Sequence, residues 1–123
     1  MGDVAVLLLA AGSGRRLGGD IPKQYQVVGG SPMLLHTLWS LQIERRIRWL
    51  QPVIGSGDQE RFYAAIAGEE FPFEMLPPVV GGSERALSMV SGLQALPAEV
   101  EMVAIHDAAR ALPSPTLLHL LLD

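Results

Sequence analysis

The chain has 123 residues, nine Lys plus Arg against thirteen Asp plus Glu, and a net charge of −4 at pH 7. At about 150 residues per domain this is one domain or most of one, and its 49% apolar and 18% charged fractions exclude disorder as the dominant state. The longest uncharged apolar runs, Val4 to Ala11 and Leu117 to Leu122, are far shorter than a membrane span of roughly 20 residues, the acidic balance argues against a general nucleic-acid binder, and the absence of cysteine excludes a disulfide framework or thiolate metal site and suits a reducing cytoplasm.

Asp3 stands where a signal peptide would carry basic residues, so no export signal is read. Val4 to Leu9 is a continuous apolar run of strand length that opens into the Gly-rich segment 10–19, a loop. An extended piece over Tyr25 to Val28 and a Gly29-Gly30 turn follow. Ser31 as N-cap and Pro32 at the first helical position predict a helix over 32–44, with Leu34, Leu35, Leu38 and Leu41 on its buried face. Ile47 to Ile54 predicts a second core strand, its downstream half weakened by Pro52. Asp58 to Ala67 predicts a helix stopped by Gly68, and Glu74 to Val80 a short strand broken by Pro77-Pro78.

Ser83 to Leu96 predicts a helix capped by Ser83, with Ala86, Met89, Val90 and Leu93 turned inward. Val100 to Ile105 is the next buried strand and ends in His106-Asp107. Ser114-Pro115 predicts a last helix over Thr116 to Leu122, which stops without a C-cap and so reads as cut rather than finished. Alternating near-continuous apolar strands and helices predict a doubly wound, mostly parallel α/β sheet. In such sheets ligands sit outside the carboxyl ends of the strands.

Three segments at those ends carry chemistry. In Ala10-Ala-Gly-Ser-Gly-Arg-Arg16 with Pro22-Lys23, glycines allow backbone N–H groups to surround phosphate oxygens while Arg and Lys neutralise them, as a polyphosphate cradle requires. A Gly-rich surface turn with solvated cations explains the same residues. The segment lacks the third Gly of a dinucleotide fingerprint and the Gly-Lys-Ser/Thr of a P-loop, which disfavours a dinucleotide-dependent oxidoreductase. Asp107 is placed to hold Mg²⁺ through one oxygen beside substrate phosphates, or else to cap a helix; His106, facing the other way, reads as structural. Gly81-Gly82-Ser83 with Arg85 and Ser88 offers free N–H groups and hydroxyls for a base or ribose, and serves equally as a capped core helix. Trp39, Trp49 and Met89 read as ordinary core.

Taken in order, residues 9–16 (LAAGSGRR), 22–25 (PKQY), 81–88 (GGSERALS), Gly92-Leu93 and 106–110 (HDAAR) resemble the 2-C-methyl-D-erythritol 4-phosphate cytidylyltransferases of non-mevalonate isoprenoid synthesis. The resemblance implies a Rossmann-like nucleotide-diphospho-sugar transferase fold, CTP as co-substrate, Mg²⁺, and a homodimer in the cytoplasm. It implies that Arg16 and Lys23 are catalytic, and that Ala10, Ala11, Gly12, Gly82 and Ser88 contact CTP. By the same resemblance Ala108 lies near the cytidine, Asp107 holds the metal and Arg110 approaches methylerythritol phosphate. Gly14 and Ser83 join the nucleotide set from the cradle and the capped turn. Leu87 stands where the family commonly has a polar residue, and Ala111 where Pro is usual.

Residues 1–123 then correspond to the amino-terminal, CTP-binding part of such a domain, and 76–82 is similar to versions fused to a cyclodiphosphate synthase. The expected reaction is cytidylyl transfer from CTP to methylerythritol phosphate with release of pyrophosphate. Alternatives are another acceptor, such as ribitol 5-phosphate, or an inactive nucleotide-binding remnant.

Overall fold

The computed structural model describes residues 4–11, 21–82, 84–108 and, by their backbone, 119–122. At its centre lies β1 (Val4–Ala10), every residue of which is buried. It pairs in parallel with β4 (Ile47–Ile54) on one side and β7 (Met102–Asp107) on the other. Beyond β4, the short strands β5 (Glu74–Met75) and β6 (Val79–Val80) continue the sheet in parallel, and beyond β7 the strand β8 (His119–Leu122) runs antiparallel. Among the described residues this makes the path β5-β4-β1-β7-β8 with β6 also on β4, the mostly parallel α/β sheet that the pattern predicts.

The uninterrupted apolar character of β1 follows from coverage on both faces. Val6, Leu8 and Ala10 point to one side, where they meet Leu34, Leu38 and Leu41 of α1 (Met33–Leu41) and Phe62 of α2 (Gln59–Ile66). Ala5, Leu7 and Leu9 point to the other, where Trp49, Val53 and Val103 are joined by Met89 of α3 (Arg85–Gln94) and by Leu96. Trp39 is partly buried and donates its indole N–H to Glu69 Oε1 at 3.0 Å.

Pro52 does not end β4, for a geometric reason. The carbonyls of Leu50 and Ile54 accept from Leu76 and Gly81 on the outer edge, so residue 52, of the same parity, faces that edge too. Its missing N–H therefore meets the gap between β5 and β6, where Pro77-Pro78 breaks the partner strand. The buried Gln51 side chain bridges the gap, donating to the carbonyls of Pro52 and Pro77 at 2.9 Å each.

Four expectations are corrected. Ser31 and Pro32 form β3, paired antiparallel with β2 (Val27–Val28), and α1 begins at Met33 with Pro32 as its N-cap residue. Gly29 and Gly30, at φ of +61° and +89°, make the two-residue hairpin turn that this register demands, and the Ser31 backbone is spent on that hairpin. The strand predicted over 100–105 is displaced to Met102–Asp107, so His106 and Asp107 are its last residues instead of its sequel.

The inward face of α3 is not Ala86, Val90 and Leu93, since Val90 and Leu93 are 49% and 38% exposed. Ser88 and Gly92 are buried instead: a Cβ on Gly92 would lie 2.8 Å from both Leu7 Cδ2 and Val53 Cγ2, so its absence sets how closely the helix approaches the sheet. Lastly, residues 119–122 are strand β8 and not part of a helix, which removes the basis for reading a helix cut short; 116–118 lie outside the described residues.

Candidate nucleotide site

The carboxyl ends of β1, β4, β6 and β7 lie side by side, and hydrogen bonds between the segments leaving them fix their spacing. The Gly81 N–H donates to the Ile54 carbonyl at 2.8 Å, and the Ala108 N–H to the Leu9 carbonyl at 2.9 Å. Gly81 is a contact point: a Cβ there would collide with Ser88 Oγ and stand 2.8 Å from Val53 Cγ1 and 3.0 Å from Ala11 Cβ. Residues 11, 81 and 88, far apart in sequence, therefore meet at one place. Ser88 is 3% exposed, and its hydroxyl donates to the Gly82 carbonyl over 3.4 Å. Leu87 lies over Gly82, where a Cβ would come within 3.0 Å of Leu87 Cδ1.

Two side chains from the α1 side brace this edge. Gln24 is buried and donates its amide to the Ala10 carbonyl at 2.5 Å. Since Gln24 lies within the 3-10 turn Lys23–Tyr25, whose Tyr25 is sunk in the core, that bond fixes the backbone of exposed Lys23 beside the end of β1. Thr37 donates its hydroxyl to the Ala108 carbonyl at 2.9 Å. Both carbonyls belong to residues expected to border the nucleotide, and both bonds are buried, where an unsatisfied partner is costly.

Asp107 is reached across the end of β1 by Arg85, the first residue of α3; Arg85 Nη2 lies 3.6 Å from Asp107 Oδ1, the two side chains being 53% and 39% exposed. The carboxylate thus already draws a cation, and a hard oxygen donor at a strand end suits Mg²⁺, which is commonly held by one or two carboxylates plus phosphate oxygens and water. No group of three or more His, Asp or Glu that could hold a metal by itself occurs among the described residues. His106 is buried, as its facing away from Asp107 requires.

Of the residues predicted for the site, the structure brings together Ala10, Ala11, Gly82, Ser88, Asp107 and Ala108, with Lys23 anchored alongside. Gly12, Gly14, Arg16, Ser83 and Arg110 lie outside the described residues. Gln24 and Thr37 carry no site role in the sequence reading, and Arg85, grouped there with Gly81-Gly82-Ser83 and Ser88, turns out to reach Asp107; a polar Thr37 on the Leu34, Leu38 and Leu41 face is a signal that its hydroxyl has a buried task. A separate groove of about 280 Å³ is lined by Ile21, Tyr25, Pro32, Arg61, Ala64 and Ala65. Its cation Arg61 is paired with Asp58 at 3.4 Å.

Comparison with known proteins identifies the family. The sequence model of the 2-C-methyl-D-erythritol 4-phosphate cytidylyltransferase family (IspD) matches residues 4–123. A bifunctional enzyme IspD/IspF of Rhizorhabdus wittichii is 42% identical over 107 residues, covering 87% of this chain and 26% of the relative. A 2-C-methyl-D-erythritol 4-phosphate cytidylyltransferase of Cereibacter sphaeroides is 39% identical over 115 residues, covering 93% and 50%. The crystal structure of 4-diphosphocytidyl-2C-methyl-D-erythritol synthase from Anaerococcus prevotii superposes with a TM-score of 0.76 at 27% identity, covering 93% of this chain and 47% of that one. The chain therefore spans between a quarter and a half of the length of these relatives.

Proposed function

Because the chain belongs to the 2-C-methyl-D-erythritol 4-phosphate cytidylyltransferase family, we propose that it is the amino-terminal, CTP-binding part of a cytidylyltransferase domain acting on methylerythritol 4-phosphate. The observation that carries this reading is the convergence of Ala10-Ala11, Gly81-Gly82 with Ser88, and Asp107-Ala108 at one edge of a parallel sheet. That relatives are methylerythritol 4-phosphate cytidylyltransferases supports this acceptor. A homodimeric assembly and a cytoplasmic location belong to the same reading; no helix among the described residues is long and apolar enough to cross a membrane.

In the reaction a phosphate oxygen of methylerythritol 4-phosphate attacks the α-phosphorus of CTP. A P–O bond forms to the acceptor as the bond to the β-phosphate oxygen breaks, giving 4-diphosphocytidyl-2-C-methyl-D-erythritol and pyrophosphate. The protein's share is positioning and charge neutralisation. Backbone around Ala10, Ala11, Gly12 and Gly14 cradles the triphosphate. Arg16 and Lys23 oppose the charge that gathers on the α-phosphate and leaving group, while Gly82, Ser83, Ser88 and Ala108 hold the nucleoside and Arg110 the acceptor. Asp107 would hold Mg²⁺, which when bound supplies further neutralisation of the phosphates.

Pyrophosphate release, assayed on the gene product carrying this chain with CTP, Mg²⁺ and methylerythritol 4-phosphate, tests the reading. Lys23→Ala removes a cation worth about 3 kcal/mol of barrier by analogy with oxyanion-stabilising donors. The rate is expected to fall roughly 100-fold with thermal unfolding unchanged, since Lys23 is exposed. Absence of release from the unsubstituted enzyme, or an undiminished rate in Lys23→Ala, overturns the reading or the assignment respectively.

A further inference from the structure

Arg85 is the one charged partner of Asp107 among the described residues, and the form of the contact is unusual for a structural ion pair. It is a single approach of 3.6 Å from Nη2 to Oδ1, not a bidentate fork, and both side chains are substantially exposed. A pair of that kind holds weakly and exchanges readily. Its position gives it meaning. α3 packs against β1 and β4 while Asp107 ends β7 on the far side of β1, so the guanidinium crosses the mouth of the site above the end of β1. No packing requires it there, because the buried face of α3 is made by Ser88 and Gly92.

We propose that Arg85 is a placeholder cation: it neutralises Asp107 while no divalent cation is bound, and must release the carboxylate for one to bind. The proposal rests on the reading of Asp107 as a metal-holding residue. Without a counter-charge, the Asp107 carboxylate would face an incoming triphosphate as a like charge. With Arg85 in place, the site presents no net repulsion until the cation arrives, and the pair is loose enough to be displaced by it. Arg85 then acts through Asp107, as a positioning residue for cation entry, and its effect on divalent affinity is competitive.

The test is the affinity of the nucleotide-free protein for Mn²⁺, followed by the loss of the free-ion paramagnetic resonance signal. R85Q is expected to bind Mn²⁺ about two- to fivefold more tightly, the factor an exposed ion pair contributes to an equilibrium. R85M is expected to do the same, and R85K to return the affinity toward wild type by restoring the charge. Asp107→Asn, introduced into the wild type and into R85Q, is expected to abolish the difference between them. Unchanged or weaker Mn²⁺ binding in both R85Q and R85M, with Asp107→Asn still impaired, overturns the placeholder and leaves the metal reading standing. Wild-type Mn²⁺ binding by Asp107→Asn overturns both.

Discussion

Tyr25 belongs to the Pro-Lys-Gln-Tyr segment that delivers Lys23, yet its own hydroxyl is buried without a hydrogen-bond partner among the described residues. Burial foremost, reinforced by the Asp58 carboxylate and partly offset by Arg61, raises its phenol well above the ordinary value of 10.0. The folded state thus resists ionisation that the unfolded chain undergoes from about pH 10. The unfolded state holds fewer protons there, so stability is full below pH 10 and declines as pH rises above it. Tyr25→Phe is expected to remove that alkaline decline and to leave neutral-pH stability unchanged or raised by about 1 kcal/mol, because no bond is lost with the hydroxyl. Urea unfolding at pH 7 and at about pH 10.5, just above the unfolded phenol's range, checks it; a loss above about 1 kcal/mol at neutral pH would show that the hydroxyl has a partner. Gln24 and Thr37 are the opposite case, since each buried donor satisfies a carbonyl at the edge of the site.

At the scale of elements, α3 carries both the site and its own constraint. Its N-terminal turn delivers Arg85 and Ser88, and the depth at which it lies is set by Gly92 against Leu7 and Val53. Gly92→Ala gains up to about 1 kcal/mol in helix propensity but overpacks the contact with the sheet, which costs about 1–3 kcal/mol. The net expectation is a lower Tm and weaker CTP binding as the helix is pushed away from Ala11, whereas Leu93→Gln on the exposed face is expected to change stability within about 0.5 kcal/mol. A more stable Gly92→Ala variant would contradict the packing described here.

The same helix shows what the sequence conceals: of the regular stripe Ala86, Met89, Val90 and Leu93, Met89 packs on the core while Val90 and Leu93 are exposed, and small Ser88 and Gly92 are buried against the sheet. The run Leu117 to Leu122 is a different ambiguity. A short continuous apolar segment suits a buried strand and a helix equally, and pairing of residues 119–122 with β7 decides it for them. By contrast β1, β4 and the turn at Gly29-Gly30 were legible, because length, apolarity and turn chemistry agree there, whereas the strand that follows the turn read as the start of α1.

For the whole molecule, the site is a property of strand order. β1 is flanked by β4 and β7, which are distant in sequence, and this order gathers segments 10–11, 81–88 and 107–108 at one edge. Their chemistry was legible as three Gly-rich or acidic segments after strands. Their convergence was not, because it depends on long-range contacts such as Thr37 to Ala108, 71 residues apart, and Arg85 to Asp107. The central claim, that this edge binds CTP, is tested most directly by titrating CTP with Mg²⁺ while following backbone amide chemical shifts. The expected result is saturable shifts concentrated at Ala10, Ala11, Gly81, Gly82, Asp107 and Ala108, with NAD producing none. Shifts centred on the amino ends of the strands or on the Tyr25–Arg61 groove, or equal responses to CTP and NAD, would contradict it.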